Sequence, residues 1–365
     1  MLQKLPDNIL KTPHSGYHGN QFTRNYFEGW YLRLTLPELR ETFAFMYSIE
    51  NPVGDSSYCG GAVQILGIDE KYLCRTIPNV DRFWASNQDF SFGHWHKLEN
   101  PETKLQAGLL SSEEFSSEIY EGYQVTPTLN QGRVYNPQTN SYCRWQYQIK
   151  PVYGWGNPQS SQQATAGWLS YLPLVDPGWQ VTLAHGLATG WIEWQNQTYH
   201  FQDAPAYSEK NWGTAFPIKW FWLNCNSFDN CQNLALTTVG GIRQIPWGQE
   251  TVGLVGIHYQ DKFYEFAPWN SQIHWQIEPW GSWQIKAVNN QNYCVTLSGK
   301  TDLSGTYVRT PTARGLVLNC RDTTRGNLNL KLQSGQTTII KTSSNLAGLE
   351  VGGEPWEKDW SFNCV

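Results

Sequence analysis

The stretch FEGWYLRLTL at residues 27–36 places a large apolar side chain at every second position from Trp30 onward. This alternation is typical of a β-strand with one buried face. A second aromatic-rich stretch, IKWFWLNC at residues 218–225, also follows a glycine-containing connection and opens a further series of strand-like segments. The similarity indicates a duplication in which each stretch begins one barrel of roughly lipocalin size, large enough to hold one ligand.

Strand-like segments recur along the whole chain, separated by Gly, Pro, Asn and Asp; examples are TFAFMYSIE, AVQILGI, CRWQYQIKPV, WQVTLAHGL and TVGLVGIHY. Helical periodicity is almost absent, and the best candidate helix is SSQQATAGWLSYL at residues 160–172. We therefore predict an all-β fold of two lipocalin-like antiparallel β-barrels in tandem with very little helix. The first barrel is expected to comprise residues 1–215 and the second residues 216–365. A single continuous sandwich is the alternative.

The composition is dominated by aromatic residues, with 19 Trp, 19 Tyr and 15 Phe, whereas charged residues make up 16% of the chain. Aromatic side chains supply large, stiff apolar walls, so this composition suits either a roomy apolar pocket or an aromatic β-core. The formal net charge is −5 and no Lys/Arg cluster occurs. These features argue against a nucleic-acid partner.

Targeting and cofactor signals are also missing from the sequence. No apolar run approaches the length of a membrane span, and the N-terminal residues show neither a signal-peptide core nor a transit-peptide composition. We expect an intracellular protein that is soluble or attached to a membrane surface. The eight cysteines form no CxxC pair, and the HWH at residues 94–96 has no acidic or Cys partner nearby, so no metal site is predicted. No nucleotide-binding motif is present either, so we predict no cofactor, and no obligate protein partner is indicated.

The segment AYSEKNWG at residues 206–213 is the main candidate for chemistry. In an extended strand Tyr207, Glu209 and Asn211 share one face, while Lys210 and Trp212 lie on the other. Lys210 therefore need not neutralise Glu209. If the odd face looks into a barrel, burial would keep Glu209 protonated and make it a general acid. The alternative is a solvated glutamate on an edge strand.

Three further polar residues are candidates. Glu28 lies among aromatic residues and is either a second carboxylate of the cavity or a structural acceptor for backbone amides. Asp203 precedes a proline-containing turn, and capping that turn is the commoner use of such an aspartate. His185 lies on a predicted strand and is either an ordinary core histidine or a group that accepts a proton from a substrate hydroxyl.

Several long stretches resemble the tocopherol cyclases of cyanobacteria and plant plastids, among them PHSGYHG (13–19), FEGWYLRLTLPE (27–38) and YSEKNWGTAFPIKWFWLNCNSF (207–228). The resemblance implies a cofactor-free cyclisation of a phytyl hydroquinone, such as 2,3-dimethyl-6-phytyl-1,4-benzoquinol, to γ-tocopherol. The monomethyl substrate would give δ-tocopherol. The resemblance also implies peripheral attachment at a thylakoid or plasma membrane, and the missing transit peptide suits a cyanobacterial-type member.

A more distant similarity connects the chain to carotenoid 1,2-hydratases and tandem lipocalin-like proteins. Those hydratases carry a YxDxNWG-like segment whose acidic residue protonates a prenyl double bond. Tyr207, Glu209, Asn211 and Trp212 match this segment, with Glu in place of Asp. The resemblance implies that Glu209 is the acid, with Tyr207 and Asn211 as its hydrogen-bond partners. Asp203 is a further catalytic candidate, because Asp203 or Glu28 is the acid in the rival assignment. The residues expected to contact the substrate are Glu28, Trp30, Tyr31, His185, Trp191 and Trp212.

Two alternatives remain at this point. A hydratase would let water capture the cation that the ring phenol captures in a cyclase. A non-catalytic lipid carrier on the same double barrel would bind the quinol and return it unchanged.

Overall fold

The computed structural model describes residues 11–20, 25–52, 59–97, 108–172, 176–245, 247–312 and 315–363. Within these ranges the chain forms 22 strands in two sheets and a single short α-helix. No helix of the described ranges is long and apolar enough to cross a membrane. The predicted all-β fold with two lipocalin-like sheets in tandem is confirmed.

The first sheet is antiparallel and has eleven strands: β1 (Phe27–Leu36), β2 (Glu41–Glu50), β3 (Gly60–Leu66), β4 (Tyr72–Ile77), β5 (Phe83–Ala85), β6 (Phe92–Lys97), β7 (Ile119–Thr126), β8 (Leu129–Asn136), β9 (Ser141–Tyr153), β10 (Gly178–Trp194) and β11 (Gln197–Gly213). Their spatial order is β4-β3-β2-β1-β11-β10-β9-β8-β7-β6-β5. The last strand thus returns to pair with the first, and the sheet curls around its own core.

The second sheet is also antiparallel and contains β12 (Lys219–Cys225), β13 (Ala235–Ile245), β14 (Gly248–Tyr259), β15 (Lys262–Phe266), β16 (Ser271–Ile277), β17 (Ser282–Asn289), β18 (Tyr293–Lys300), β19 (Thr306–Thr312), β20 (Gly315–Ser334), β21 (Thr337–Gly353) and β22 (Trp360–Asn363). The spatial order is β15-β14-β13-β12-β21-β20-β18-β17-β16-β22, and β19 pairs with β20.

The two aromatic stretches that indicated a duplication occupy equivalent places in the two sheets. β1 pairs with β2 on one side and with the long returning strand β11 on the other. β12 pairs in the same way with β13 and the long returning strand β21. The division into two domains, residues 1–215 and 216–365, stays a prediction.

The helix prediction was wrong in its position. Of the segment 160–172 only Gly167–Tyr171 is helical, as a single 3-10 turn. The α-helix is α1 (Ser112–Glu118), which begins with a capping box in which Ser111 and Glu114 each bond the other's backbone N–H. This serine- and glutamate-rich segment has only one buried apolar side chain, Phe115, so its hydrophobic periodicity is too weak to be recognised.

The side chains of the central strands alternate between the interior of their own sheet and the opposite sheet. On β1, Trp30, Leu32 and Leu34 belong to the core of the first sheet. On β12, Phe221 and Leu223 belong to the core of the second sheet. The intervening residues of both strands face outward. A third apolar cluster combines Tyr153 and Tyr207 of the first sheet, and Trp155 just after β9, with Trp222 and Leu254 of the second sheet. The two sheets therefore pack together through their outer faces.

Arg33 connects the two sheets at the centre of this contact. Its side chain is 1% exposed and extends from β1 to the second sheet. Nη1 donates to the backbone oxygen of Asn224 at 2.9 Å and to its side-chain oxygen at 3.2 Å. Nη2 donates to the backbone oxygens of Thr324, at 3.0 Å, and Leu346. One planar guanidinium thus donates to acceptors on three strands of the second sheet, β12, β20 and β21.

We predict that Arg33→Met lowers the free energy of unfolding by about 3 kcal/mol or more, because it leaves these buried acceptors without a donor. Urea denaturation measures this change. Arg144→Met is the control, since the Arg144 guanidinium is 44% exposed and pairs with Glu193 at the surface; its loss should cost at most about 1 kcal/mol. Equal losses in the two variants would contradict a central role for Arg33.

Candidate active site

Glu209 lies on β11 and faces the second sheet. Its register partners are Val181 on β10 and Tyr31 on β1, so the residue occupies the middle of the first sheet. Its side chain is 7% exposed. The alternation expected from the sequence holds, because Lys210 points to the opposite face and pairs there with Glu28.

Three donors converge on one oxygen of the Glu209 carboxyl. Oε2 accepts hydrogen bonds from the Tyr207 hydroxyl at 2.6 Å, from Nε1 of Trp179 at 3.0 Å and from Nε1 of Trp222 at 3.1 Å. Oε1 forms no hydrogen bond within the described ranges of the chain. Because the lone pairs of Oε2 are occupied, an acidic proton on this carboxyl resides on Oε1.

Burial and hydrogen bonding act on the Glu209 carboxyl in opposite directions. Desolvation raises its pKa, the three donors lower it, and the nearby Glu350 raises it further; the resulting pKa is about 7. Near neutral pH the carboxyl therefore holds a proton. The three hydrogen bonds stabilise its carboxylate form, so the proton can still be transferred to a substrate. This balance is the one that general acid catalysis requires.

Glu209 lines a cavity between the two sheets, with a volume of about 180 Å³. Most of the wall is apolar and much of it aromatic, with contributions from Leu169, Trp179, Phe216, Trp220, Trp222, Val239, Val252, Leu254 and Trp269. The polar groups of the wall include Asn211, Arg243, Glu250 and Glu350.

The cavity lies neither inside a barrel nor at a solvated edge, the two positions that the sequence left open for the odd face of β11. That face looks out of the first sheet and toward the second. The interior of the first sheet is filled by large side chains, among them Phe45, Tyr47 and Trp145. The carboxyl is nevertheless buried among aromatic residues, because the second sheet covers it.

Glu28 and Trp30 lie outside the cavity. Glu28 is fully buried on the inner face of the first sheet, where it forms an ion pair with Lys210 and accepts hydrogen bonds from the Tyr26 hydroxyl and, at 2.9 Å, from the backbone N–H of His18. The lysine holds the pKa of Glu28 below its usual value despite burial. Trp30 stacks on Phe92 in the same core. Neither residue reaches the space beside Glu209.

Asp203 and Trp191 are also placed away from the cavity. Asp203 is exposed, has a φ of 52°, and its backbone N–H donates to the Thr189 hydroxyl, so it shapes an irregular point of the β10–β11 pair. Trp191 is half-buried beneath the guanidinium of Arg144, 5.0 Å from its ring centre. Neither residue lines the cavity beside Glu209.

His185, Tyr31 and Trp212 lie near the site without lining the cavity. His185 is buried beside Tyr153, and desolvation lowers its pKa to about 4, so it is neutral. Tyr31 packs edge-on against Trp222, at a centroid distance of 5.3 Å, on the inter-sheet face. Trp212 stacks on His18 at 4.1 Å on the opposite side of the first sheet, where it supports the N-terminal segment.

Sequence reasoning missed four residues of the site: Trp179, Trp220, Trp222 and Glu350. The stretch IKWFWLNC was recognised as a strand, but nothing in it indicated that its even residues face the first sheet. The signal that was available is the pair of tryptophans at positions 220 and 222, because two indoles two residues apart must lie on the same face of a strand.

These features define a class of protein: two lipocalin-like sheets in tandem with a buried carboxyl in an aromatic cavity between them. The tocopherol cyclase-like family matches residues 24–353, and the chain belongs to that family. It is 42% identical over 387 aligned positions to a probable chloroplastic tocopherol cyclase of Oryza sativa subsp. japonica, covering 98% of this chain and 82% of the relative. The chloroplastic tocopherol cyclase of Zea mays is 41% identical, with 98% and 81% covered. These relatives indicate an enzyme.

Among solved structures, the chain is similar to a putative AttH from Nitrosomonas europaea, with a TM-score of 0.51 and 10% identity over 97% of this chain and 99% of that one. At this level of identity the likeness concerns the fold alone. It agrees with the arrangement of two lipocalin-like sheets in tandem.

The raised pKa of Glu209 predicts a pH-dependent loss of stability. A folded pKa of about 7 against an ordinary value of 4.5 means that the folded state binds the proton more tightly than the unfolded state. The free energy of unfolding is therefore highest below pH 4.5 and falls by roughly 3 kcal/mol in total as the pH rises through 7. Glu209→Gln has no proton to lose, so the stability of the wild type should fall relative to this variant across that interval. Parallel curves of unfolding free energy against pH would contradict the assignment.

Proposed function

We propose that this protein is a tocopherol cyclase, which closes the chromanol ring of a phytyl hydroquinone without a cofactor. The substrate class is a prenylated benzoquinol, for example 2,3-dimethyl-6-phytyl-1,4-benzoquinol, with γ-tocopherol as product. The reaction is an isomerisation by an intramolecular addition. The observation that supports this proposal most strongly is the Glu209 carboxyl, protonated near neutral pH in an aromatic cavity.

In the first step Glu209 transfers its proton from Oε1 to the less substituted carbon of the prenyl double bond nearest the ring. A C–H bond forms from the alkene π electrons, the O–H bond of the carboxyl breaks, and a tertiary carbocation results. The negative charge left on the carboxylate is stabilised at once by the Tyr207 hydroxyl and the indoles of Trp179 and Trp222. These donors are already in place and need no reorganisation.

In the second step the phenol oxygen of the same molecule captures the cation and closes the ring. The indole faces of Trp179, Trp220 and Trp222 line the space in which the cation forms, and ring quadrupoles attract positive charge. The apolar walls limit access of water, the competing nucleophile. Access of water is thus what separates cyclisation from hydration.

Attachment to a membrane surface belongs to the same proposal, because a phytyl chain partitions into the lipid phase. Large apolar side chains project into solvent beside the cavity mouth: Trp168 (67% exposed), Tyr171 (63%), Trp247 (76%) and Trp269 (42%). Trp269 itself lines the cavity, and Trp168 and Tyr171 belong to the 3-10 turn that supplies Leu169 to the wall. Trp247 lies at the tip of the β13–β14 hairpin, whose residues Arg243 and Glu250 also line the cavity. We propose that this group, the mouth aromatics, inserts into the lipid surface.

Incubation of the purified protein with the phytyl hydroquinone tests the function directly. A chromanol product supports the cyclase. A tertiary alcohol would instead assign a hydratase, and recovery of unchanged quinol bound to the protein would assign a carrier.

Glu209→Gln should reduce chromanol formation by about a hundred- to ten-thousand-fold, because the amide keeps the acceptor for the three donors but has no acidic proton. Tyr207→Phe should have a smaller effect, since it removes one of three hydrogen bonds. Initial rates with the phytyl hydroquinone measure both.

Asp203→Asn and Glu28→Gln are the controls for this prediction. The Asp203 side chain is exposed, so its variant should retain turnover. The Glu28 variant should lose stability, because it leaves Lys210 buried without its partner, but the folded fraction should retain activity. Near-normal turnover in Glu209→Gln, together with loss of turnover in Asp203→Asn or Glu28→Gln, would show that Asp203 or Glu28 is the acid instead.

Trp247→Ser should weaken binding to liposomes at least about tenfold, since it removes a large apolar group from the mouth aromatics. Added salt should change binding little, because the attraction is apolar. Co-sedimentation with liposomes measures both effects. The matched control is Tyr135→Ser, because Tyr135 is 42% exposed on β8, a strand that contributes no residue to the cavity. Equal loss in both variants, or release by salt alone, would contradict the proposed surface.

A further inference from the structure

The cavity contains a second buried carboxyl that the acid step does not use. Glu350 lies on β21 and lines the same cavity as Glu209, from the opposite sheet. One of its oxygens accepts a hydrogen bond from Nε1 of Trp220. Trp222, two residues further along β12, donates to Glu209. Two indoles on one face of one strand, roughly 7 Å apart along it, thus hold the two carboxyls of the cavity.

The residues around Glu350 on β21 leave room for the two indoles that flank its carboxyl. The strand reads GLEVGG at residues 348–353. A Cβ atom at Gly352 would overlap the Trp220 ring, and one at Gly348 would lie 2.7 Å from Cζ3 of Trp222. The two glycines on either side of Glu350 therefore provide the space in which the indoles lie. The pattern G-x-E-x-G, with all three residues on one face, fits a carboxyl placed between two rings.

A third carboxyl behind Glu350 determines which group ionises. Asp322 on β20 is the register partner of Glu350 and is fully buried. Neither of its side-chain oxygens has a hydrogen-bond partner within the described part of the chain. Burial and the neighbouring Glu350 raise the pKa of Asp322 well above its ordinary value, so Asp322 keeps its proton. Burial also raises the pKa of Glu350, but the Trp220 indole supports its charged form. In this pair Glu350 is the carboxyl that ionises first.

We infer that Glu350 is a catalytic base that accepts the phenol proton when the ring closes. This inference rests on the proposed cyclase function. As the phenol oxygen forms its bond to the tertiary carbon, its O–H bond breaks and the proton moves to the Glu350 carboxylate. Glu209 has then lost one proton and Glu350 has gained one, and the organic product is an isomer of the substrate. Exchange with solvent water after product release returns both groups to their starting states.

The groups that surround Glu350 define what a pH profile should show. They are Asp322 and Cys320 on β20, Glu209 on β11 and Tyr31 on β1. Glu70 and Arg33 act on Asp322, and the Arg243–Glu250 ion pair of the β13–β14 hairpin lines the same cavity. Turnover of the wild type requires Glu350 ionised and Glu209 protonated, so it should rise with pH as Glu350 ionises and fall near pH 7 as Glu209 ionises.

The test measures chromanol formation against pH for the wild type and Glu350→Gln. The amide of the variant can still accept the bond from Trp220, so the fold should persist. We expect turnover to fall about a hundredfold or more and the rising limb to disappear. The falling limb should move to lower pH, because the charge of Glu350 no longer raises the pKa of Glu209. If Glu350 were only a structural residue, its substitution would not remove the rising limb of the pH profile and shift the falling limb.

Two further variants test whether Glu350 or its neighbour Asp322 is the base. Trp220→Phe removes the donor that supports ionised Glu350, so the rising limb should move to higher pH. Asp322→Asn should keep the rising limb, because Asp322 is already neutral. Loss of that limb in Asp322→Asn would assign the base to Asp322 and overturn the inference.

Glu41→Gln is the matched control. Glu41 is a buried carboxyl that pairs with Arg325 of the other sheet and lies outside the cavity, so its variant should lose stability but retain both limbs. A wild type that forms no chromanol would contradict the cyclase itself. An active wild type whose profile Glu350→Gln reproduces would contradict only the role of Glu350, and would indicate that Glu209 recovers the phenol proton.

Discussion

The burial of one carboxyl between two sheets is the constraint on which the site depends. Glu209 is a member of the first sheet, but one of its three donors, Trp222, belongs to the second. Desolvation would make an isolated carboxyl there too weak an acid to give up its proton, and full exposure to water would leave it ionised. Docking of the sheets supplies both the desolvation and part of the hydrogen bonding. The Arg33 contacts that connect the sheets therefore also support the burial of the carboxyl.

The duplication explains why the site lies between the sheets. A small barrel can hold its ligand inside, but both interiors of this protein are filled by large side chains. The outer faces of the central strands are equally rich in aromatic residues, and they are covered only because the halves pack against each other. A cavity formed in this way receives walls from both sheets, and one of its lining residues, Trp269, is exposed to solvent.

The sequence was sufficient for the fold class and for the separation of Glu209 from Lys210, because both follow from the two-residue period of a strand. It was insufficient for choosing which face of β1 and β11 is internal. Trp30 and Tyr31 are neighbours on opposite faces and equally aromatic, so hydrophobicity does not distinguish the core from the inter-sheet contact. For the same reason Glu28 resembled a cavity residue, although its partner Lys210 lies on the inner face. Trp222 is 13 residues from Glu209 in sequence but lies in the other sheet. Glu350 is far from Glu209 in sequence; pairing of β12 with β21 places it beside Trp222, and packing of the two sheets brings both residues to the site.

The central claim is that Glu209 holds its proton near neutral pH in the cavity between the sheets. Infrared difference spectra of the wild type minus Glu209→Gln, recorded as a function of pH, test it most directly, because subtraction removes the other buried carboxyls. The account predicts the carbonyl band of a protonated carboxyl at pH 6, replaced by carboxylate bands with a midpoint of about 7. A difference spectrum that shows only carboxylate down to pH 5 would contradict it.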